Sequence, residues 1–210
     1  MSSTSAASKT IDLLRGRTIR SLAAMFRQPS LWKEGEPDEF EQILAQLGDS
    51  WRSAGEPLIE EWKRSVDEPG ECEVEFARLF LGPFDIRVPS YASSYLEPEG
   101  QLMGEVASSV LELYFRAGLQ LGEDVREMPD HVAVELDFIQ FLMQAEGDLT
   151  AAEWEEIRTV FWSQHFALWF PRFLARINSE SKHKFYRCLA DFLLFSLKEP
   201  LRPSGQLLWK

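Results

Sequence analysis

The chain has 210 residues, of which 45% are hydrophobic and 12% aromatic, and this composition predicts a folded globular domain rather than a disordered chain. Its 22 basic and 34 acidic residues give a formal net charge of −12, which argues against nucleic-acid binding because phosphate recognition needs a basic face. The 2 cysteines form no CxxC motif, which excludes a zinc ribbon or a thioredoxin-like site and fits a reducing compartment.

Helical periodicity dominates the N-terminal part of the chain. Residues 8–27 place apolar side chains at three- and four-residue spacings, which predicts a first helix. Pro37 suits the first turn of a second helix, which we expect to end at Gly55. Pro57 then opens a short helix, and residues 72–82 predict another.

The segment 83–99 has a different composition. It contains three prolines and two tyrosines and carries little charge. A long irregular segment inside a compact helical domain is usually functional or disordered, and its aromatic residues argue against disorder. We therefore expect a functional loop here.

Helical patterns return in the C-terminal half, at residues 100–118 and from Pro129 to about 146. Pro129 suits the first helical position, and Asp130 then favours the positive N-terminus of the same helix. Thr150 and Glu153 predict a capping box, in which each side chain binds a free backbone N–H, at the start of the next helix.

The last helices complete an all-α prediction. Pro171 is expected to kink or divide the helix that follows the capping box, and Ser179 to cap a last helix over 180–197. No segment alternates convincingly with the two-residue period of a strand, so the fold class is all-α, a single-domain bundle of about seven to nine helices. The expected organisation is a flexible N-terminus over 1–7, an all-helical domain over 8–198 and a tail over 199–210.

Neither a secretory leader nor a membrane span is predicted. The first stretch is polar and then amphipathic, without the apolar region of a signal peptide. No apolar run approaches the roughly 18 residues that a membrane span requires. We therefore expect a cytoplasmic protein without stable membrane insertion.

The segment EMPDHVAVELDF, residues 127–138, is the most suggestive of an active site. His131 and Glu135 lie four residues apart on one helical face, but two ligands are fewer than catalytic zinc needs, and no HExxH motif is present. Asp130 and His131 are adjacent, so on a helix they point in different directions and form no acid–base dyad by themselves. We therefore predict no metal site and favour a structural clamp, with ligand binding as the alternative.

Other motifs of catalysis are missing from the sequence. There is no G-x-S-x-G, and no Walker or dinucleotide fingerprint. The stripe of Trp162, His165, Phe166 and Trp169 has helical spacing and predicts core packing rather than a ligand site. The sequence therefore predicts a protein that is not an enzyme and has no cofactor of its own.

Three stretches together resemble a known family. They are EFARLFLGPFDIRVPSYASSYL (75–96), EMPDHVAVELDFIQFL (127–142), and HFALWFPRFLARI followed by FYRCLADFL (165–193). In this order they are similar to the TorD/DmsD family of redox-enzyme maturation chaperones, within the superfamily that includes the NarJ-type nitrate reductase chaperones. The resemblance covers roughly residues 40–197.

The resemblance implies a cytoplasmic, client-specific chaperone without its own chemistry. Such a protein binds the twin-arginine signal peptide of a molybdopterin oxidoreductase catalytic subunit and holds it until the cofactor is inserted. One alternative is a NarJ-type assembly factor for a molybdoenzyme that is not exported, and another is a small helical hydrolase or nucleotide-using enzyme. Guanine nucleotide as a further ligand, and a monomeric or dimeric state, are left open.

The resemblance also implies a peptide-binding surface, carried over motif by motif. Its polar members lie in the first and second of these stretches, and its apolar neighbours lie in the first. Glu135 either joins the acidic rim of this surface or is buried and paired, and Asp137 is expected to be solvated. The full set is Tyr91, Ser93, Tyr95, Pro129, Asp130, His131, Glu135, Leu79, Phe80 and Phe84.

Overall fold

The computed structural model describes residues 2–82, 86–100, 102, 104–120, 122, 127–144 and 149–198. In this part the chain is all-α, as predicted. Its α-helices are α1 (Ser2–Ala24), α2 (Glu36–Leu47), α3 (Asp49–Asp67), α4 (Pro69–Phe76), α5 (Ser93–Leu96), α6 (Glu105–Arg116), α7 (Val132–Gln144), α8 (Ala151–Phe161), α9 (Ala167–Glu180) and α10 (Lys184–Lys198). Apart from the single turn α5, each described helix has eight residues or more. The predicted tail lies outside the described residues, and the predicted domain boundaries stay predictions.

The helices enclose one apolar core. α1 packs along α7 and α2, α3 lies against α2 and α10, and α9 lies against α10. Phe166, Trp169 and Phe173 are completely buried at its centre, with ring centroids of neighbouring pairs 5.4 and 6.0 Å apart. Buried aromatic side chains supply much of the apolar area of such a core. The prediction that the stripe containing His165 and Trp169 is core is confirmed. Among the described residues, no helix is long and apolar enough to cross a membrane.

The predicted end of the second helix at Gly55 is wrong. α2 begins at Glu36, with Pro37 in its first turn as predicted, but it ends at Leu47. Its C-cap is Gly48, whose φ of 114° is accessible mainly to glycine. α3 then continues through Gly55 and Pro57. Gly55 is where α3 presses against α2, since a Cβ at this position would collide with the Leu44 side chain. Glycine here indicates close helix packing rather than a helix end.

The division predicted at Pro171 lies further upstream. Trp162–Phe166 forms a π-helical turn between α8 and α9, and α9 continues through Pro171. Proline lacks the N–H that would bind the carbonyl of Ala167, and the turn immediately before Ala167 is the widened one. The capping box is confirmed, because the Glu153 N–H donates to Thr150 Oγ1 and the Thr150 N–H donates to the Glu153 carboxylate.

The predicted cap of the last helix at Ser179 is also wrong. Ser179 lies inside α9, where its hydroxyl donates to the Arg176 carbonyl at 3.1 Å. α10 begins only at Lys184, and His183 caps it because its Nδ1 accepts from the Phe185 N–H at 3.2 Å. The buried Glu75 carboxylate accepts the N–H groups of residues 182 and 183, which holds this connection outside any helix.

Candidate functional site

The loop before α5 is paired with the start of α7. The Val132 N–H donates to the Ser90 carbonyl at 2.8 Å, and the Ala92 N–H donates to the Asp130 carbonyl at 2.9 Å. Tyr91 and His131 are therefore opposite each other in an isolated antiparallel bridge, with ring centroids 5.1 Å apart. The loop and the start of the helix are therefore held together by backbone hydrogen bonds.

Asp130 serves a different helix from the one predicted. It precedes α7, which begins at Val132, and its Oδ2 accepts the N–H of Ser93, the first residue of α5, at 2.9 Å. His131 caps α7 instead, since its Nδ1 accepts from the Ala133 N–H at 3.2 Å. The expectation that Asp130 caps its own helix is wrong because the chain turns at Pro129 and Asp130 and becomes helical only after His131.

A groove of about 880 Å³ lies beside this junction. Its walls come from five parts of the chain: the segment that follows α1, the end of α4 with the π-helical turn after it (Ala77–Leu81), the Tyr91–His131 bridge, the end of α6 with the segment after it, and one face of α7. Its apolar lining includes Phe76, Phe80, Leu119, Val134, Phe138 and Phe141, and its polar lining includes Arg27, Gln28, Tyr91, Glu127, His131 and Asp137.

The structure divides the predicted site residues into groups. Tyr91, His131 and Phe80 line the groove. A second group is buried behind its walls: Leu79, Ser93, Pro129, Asp130 and Glu135. Phe84 lies outside the described residues. The tertiary structure thus brings three of the predicted residues to one accessible surface.

Tyr95 packs on the other side of the loop. Its hydroxyl donates to the Pro89 carbonyl at 3.0 Å, and its ring lies 5.7 Å from the Trp169 ring. The guanidinium of Arg172 lies over the same ring at 5.7 Å. These contacts join the loop to α9, and Tyr95 is not among the residues that line the groove.

Glu135 is a buried, paired carboxylate and does not contribute to an acidic rim. Its Oε1 lies 2.6 Å from His165 Nε2, and its Oε2 accepts from the Trp169 indole N–H at 3.0 Å. Burial raises the pKa of Glu135 to about 7, although the contacts with His165 and Trp169 act in the opposite direction. The carboxylate therefore joins α7 to the helical segments after α8, and it does not share a ligand site with His131. Among the described residues, no cluster of three or more His, Cys, Asp or Glu side chains is arranged to hold a metal ion.

The Tyr91–His131 wall of the groove is largely neutral. Burial lowers the pKa of His131, so its imidazole is uncharged at pH 7, and the bond to Nδ1 leaves the proton on Nε2. The Tyr91 hydroxyl donates to Glu127 Oε2 at 3.0 Å. Burial, followed by the Glu127 charge, raises the pKa of Tyr91 to about 12, so this hydroxyl keeps its proton.

An ion pair crosses the groove between the segment after α1 and α7. Arg27 Nη2 lies 3.3 Å from Asp137 Oδ2, with 57% of the arginine side chain and 41% of the aspartate side chain exposed. Burial raises the pKa of Asp137, while the Arg27 charge opposes this shift. Asp137 is thus half-buried and paired, whereas the sequence predicted a solvated residue.

Several groove residues were not predicted as site residues. Val134, Asp137, Phe138 and Phe141 recur at the three- and four-residue spacing of one helical face, and this pattern is visible in the sequence. Arg27 and Leu31 have no comparable sequence signal, because α1 reaches the groove only through its packing along α7. Pairing of His165 with Glu135 likewise depends on contact between distant segments.

Comparisons with known proteins agree with this fold. Residues 25–175 match the family model described as nitrate reductase delta subunit. The chain is 28% identical over 165 residues to the chaperone protein TorD of Vibrio parahaemolyticus, covering 74% of this chain and 77% of that protein. It is 32% identical over 139 residues to the chaperone protein TorD of a Psychrobacter species, covering 63% and 62%.

A solved structure has a similar fold. It is a chain from Archaeoglobus fulgidus described as a redox enzyme maturation protein, with a TM-score of 0.56 and 20% identity over 86% of this chain and 93% of that chain. The relatives carry the names of chaperones and maturation proteins, which agrees with the prediction of a binding protein rather than an enzyme.

Proposed function

This chain belongs to the TorD-type redox-enzyme maturation chaperones of the nitrate reductase delta subunit family, and we propose that it binds the twin-arginine signal peptide of a molybdopterin oxidoreductase catalytic subunit. In this proposal the chain acts in the cytoplasm and holds the leader until the client has received its cofactor. Export or assembly then follows release of the leader. The chaperone itself contributes binding and no chemical step.

The groove is the observation that carries this proposal. A twin-arginine leader presents two adjacent cations followed by an apolar stretch. The groove offers an apolar lining from Phe76, Phe80, Phe138 and Phe141, with acidic side chains beside it. An amphipathic peptide buries its apolar face in such a groove, and arginine binds carboxylates through two parallel hydrogen bonds. The net charge of −12 favours the approach of a cationic peptide.

The position of the acidic residues argues for binding rather than catalysis. Asp130 and Glu135, which in the sequence suggested an active site, are fully buried and bonded to other parts of the fold. Neither reaches the groove, where a general acid or base has to contact its substrate. His131 lines the groove with a neutral ring, which suits hydrogen bonding to a peptide.

Isothermal titration calorimetry tests the proposal directly. The purified protein is titrated with a synthetic peptide that has Arg-Arg followed by an apolar stretch, at low and at moderate salt. An Arg-Arg to Lys-Lys peptide and a scrambled peptide are the controls. We expect saturable binding at micromolar or lower Kd, weakened by both controls and by His131→Leu. Lack of binding to the leader of any oxidoreductase that is encoded beside this chain would overturn the proposal.

A second candidate is favoured by the family model, whose description is nitrate reductase delta subunit. In this alternative the chain assembles a molybdoenzyme that is not exported and binds its N-terminus without a twin-arginine motif. Titration with N-terminal peptides of such enzymes distinguishes the two. Binding that is insensitive to Arg-Arg replacement favours the assembly factor over the leader-binding chaperone.

A further inference from the structure

We propose that Asp137 is the carboxylate that receives an arginine of the client peptide, and that Arg27 occupies the cation position while the groove is empty. This inference rests on the proposed function and names the residues that recognise the leader within it. Client binding then includes an exchange, in which a client guanidinium replaces that of Arg27 on Asp137.

Only carboxylates that line the groove are within reach of a client peptide. Asp130 belongs to the conspicuous Asp-His pair, but it is completely buried and its Oδ2 accepts from the Ser93 N–H. Among the described residues that line the groove, the carboxylates are Glu127 and Asp137. Recognition of a client cation therefore falls to these two.

Asp137 has the more favourable surroundings for a strong ion pair. It lies on the same face of α7 as Val134, Phe138 and Phe141, which form part of the apolar lining. A peptide that covers this face removes water from around the carboxylate, and an ion pair is screened less when it is partly buried. Glu127 is exposed and already accepts from the Tyr91 hydroxyl, so its interaction with a cation is screened more strongly.

The resident Arg27–Asp137 contact is suited to exchange. It is a single hydrogen bond of 3.3 Å between partly exposed side chains. Ion pairs of this kind contribute little to stability, so their loss costs little. Arg27 follows the end of α1 and has a long side chain that can turn to solvent. A client arginine that binds both Asp137 oxygens replaces one contact with two.

His131 lines the same groove as Arg27, Glu127 and Asp137. Its ring is close enough to feel the charges of Glu127 and of Arg27, which act in opposite directions on its protonation. Departure of Arg27 removes a cation from the vicinity of the imidazole and leaves Asp137 free to bind its replacement. A client arginine on Asp137 then replaces the positive charge of Arg27, which gives a reason why the peptide has to be cationic.

The test is a double-mutant cycle by calorimetry with the full-length protein. Three peptides are compared. One carries Arg-Arg followed by an apolar stretch, and each of the other two has citrulline, the neutral isostere, at one of the two arginine positions. Protein variants are Asp137→Asn, Glu127→Gln and Arg27→Ala. Asp67→Asn is the matched control, since this exposed aspartate ends α3, which does not line the groove, and its substitution changes the net charge equally.

We expect Asp137→Asn to weaken binding of the Arg-Arg peptide about tenfold, with a smaller loss for Glu127→Gln and no loss for Asp67→Asn. The Asp137→Asn effect should vanish with one of the citrulline peptides. Arg27→Ala should tighten binding by about threefold because the competing cation is gone. Circular dichroism and thermal unfolding of each variant confirm that the fold is intact.

Two outcomes overturn the inference and leave the proposed function standing. One is that Asp137→Asn leaves the affinity for the Arg-Arg peptide unchanged, or lowers it less than Glu127→Gln does. The other is weaker binding by Arg27→Ala, which would mean that Arg27 itself contacts the client. Absence of leader binding by the wild-type protein removes the proposed function and this inference together.

Discussion

Asp130 accepts a hydrogen bond from the backbone N–H of Ser93 at 2.9 Å, and both residues are completely buried. With the two backbone bonds of the Tyr91–His131 bridge, this contact fixes the loop that forms one wall of the groove. The structural role of Asp130 is therefore to position this wall.

Asp130→Ala should lower the free energy of unfolding by about 1 to 3 kcal/mol, because it leaves the Ser93 N–H buried without its acceptor. Amide hydrogen exchange at Ser93 should become faster. Ser93→Ala is the matched control, since the described residues offer its Oγ no hydrogen-bond partner. We expect the free energy of unfolding of that variant, measured in urea, to change by less than about 1 kcal/mol. Equal losses in both variants would contradict the assignment.

Glu135 should make stability fall as the pH rises from about 4.5 to about 7. Its pKa is raised from 4.5 to about 7 in the folded state, so the native protein binds more protons in this interval than the unfolded chain. Glu135→Gln has no proton to lose and can still bond to His165 and Trp169. Relative to this variant, the wild type should gain roughly 3 kcal/mol on acidification from pH 7 to pH 4.5.

Chemical unfolding at several pH values measures this difference. Glu135→Leu is the second comparison, because it leaves His165 and Trp169 without their partner and should be destabilised by about 2 to 4 kcal/mol at pH 7. A wild type whose stability runs parallel to that of Glu135→Gln across the interval would show that Glu135 is ionised normally in the folded protein.

Glu75 should have the opposite dependence on pH. Burial raises its pKa, but bonds from Arg78 and from the Lys182 and His183 N–H groups outweigh burial and lower the pKa to about 2. Its contribution to stability is therefore complete above about pH 4.5 and is lost as the pH falls towards 2. Glu75→Gln should lose stability at pH 7 and approach the wild type near pH 2.

Glu75→Ala removes the acceptor altogether and should cost about 3 kcal/mol at pH 7, since Arg78 and the connection between α9 and α10 lose their partner. Glu71→Ala, an exposed acid on the same helix α4, is the control and should change stability by less than about 0.5 kcal/mol. Thermal unfolding at pH 7 compares the two. A small loss for Glu75→Ala would mean that the connection is held by other contacts.

Gly55→Ala should destabilise the protein by about 1 kcal/mol or more, because the added Cβ meets Leu44 in the buried contact of α2 with α3. Gly70→Ala is the counterpart in α4, where a Cβ meets no atom of the described chain within 4 Å. That substitution should be neutral or stabilising, since alanine favours the helix. Urea unfolding of both variants separates packing from helix propensity, and stabilisation of both would refute the packing argument.

The sequence by itself determined the helical periodicity and some of the helix starts. Spacings of three and four residues follow from the geometry of a single helix, and the Thr150–Glu153 capping box needs only neighbouring residues. Such features are local, so they are readable without the rest of the chain. The stripe that contains His165 and Trp169 was predicted as core on the same basis.

Gly55 and Asp130 show where local reasoning failed. Glycine at position 55 is typical of a helix end. In the structure it lies in the middle of α3, because α2 packs so closely there that a side chain would not fit. Aspartate at position 130 is typical of an N-cap for the helix that follows it. In the structure its carboxylate instead accepts from the N–H of Ser93, 37 residues earlier in the chain. In both cases a contact between distant segments overrides the local preference.

The groove was decided by the tertiary structure alone. Its walls come from segments far apart in the sequence, and packing along α7 brings Arg27 to within 3.3 Å of Asp137 across 110 residues. Glu135 and Asp130 are likewise buried, and their burial depends on the packing of the whole core. A sequence specifies which side chains are acidic or apolar, but their accessibility and pairing depend on long-range contacts that exist only in the folded chain.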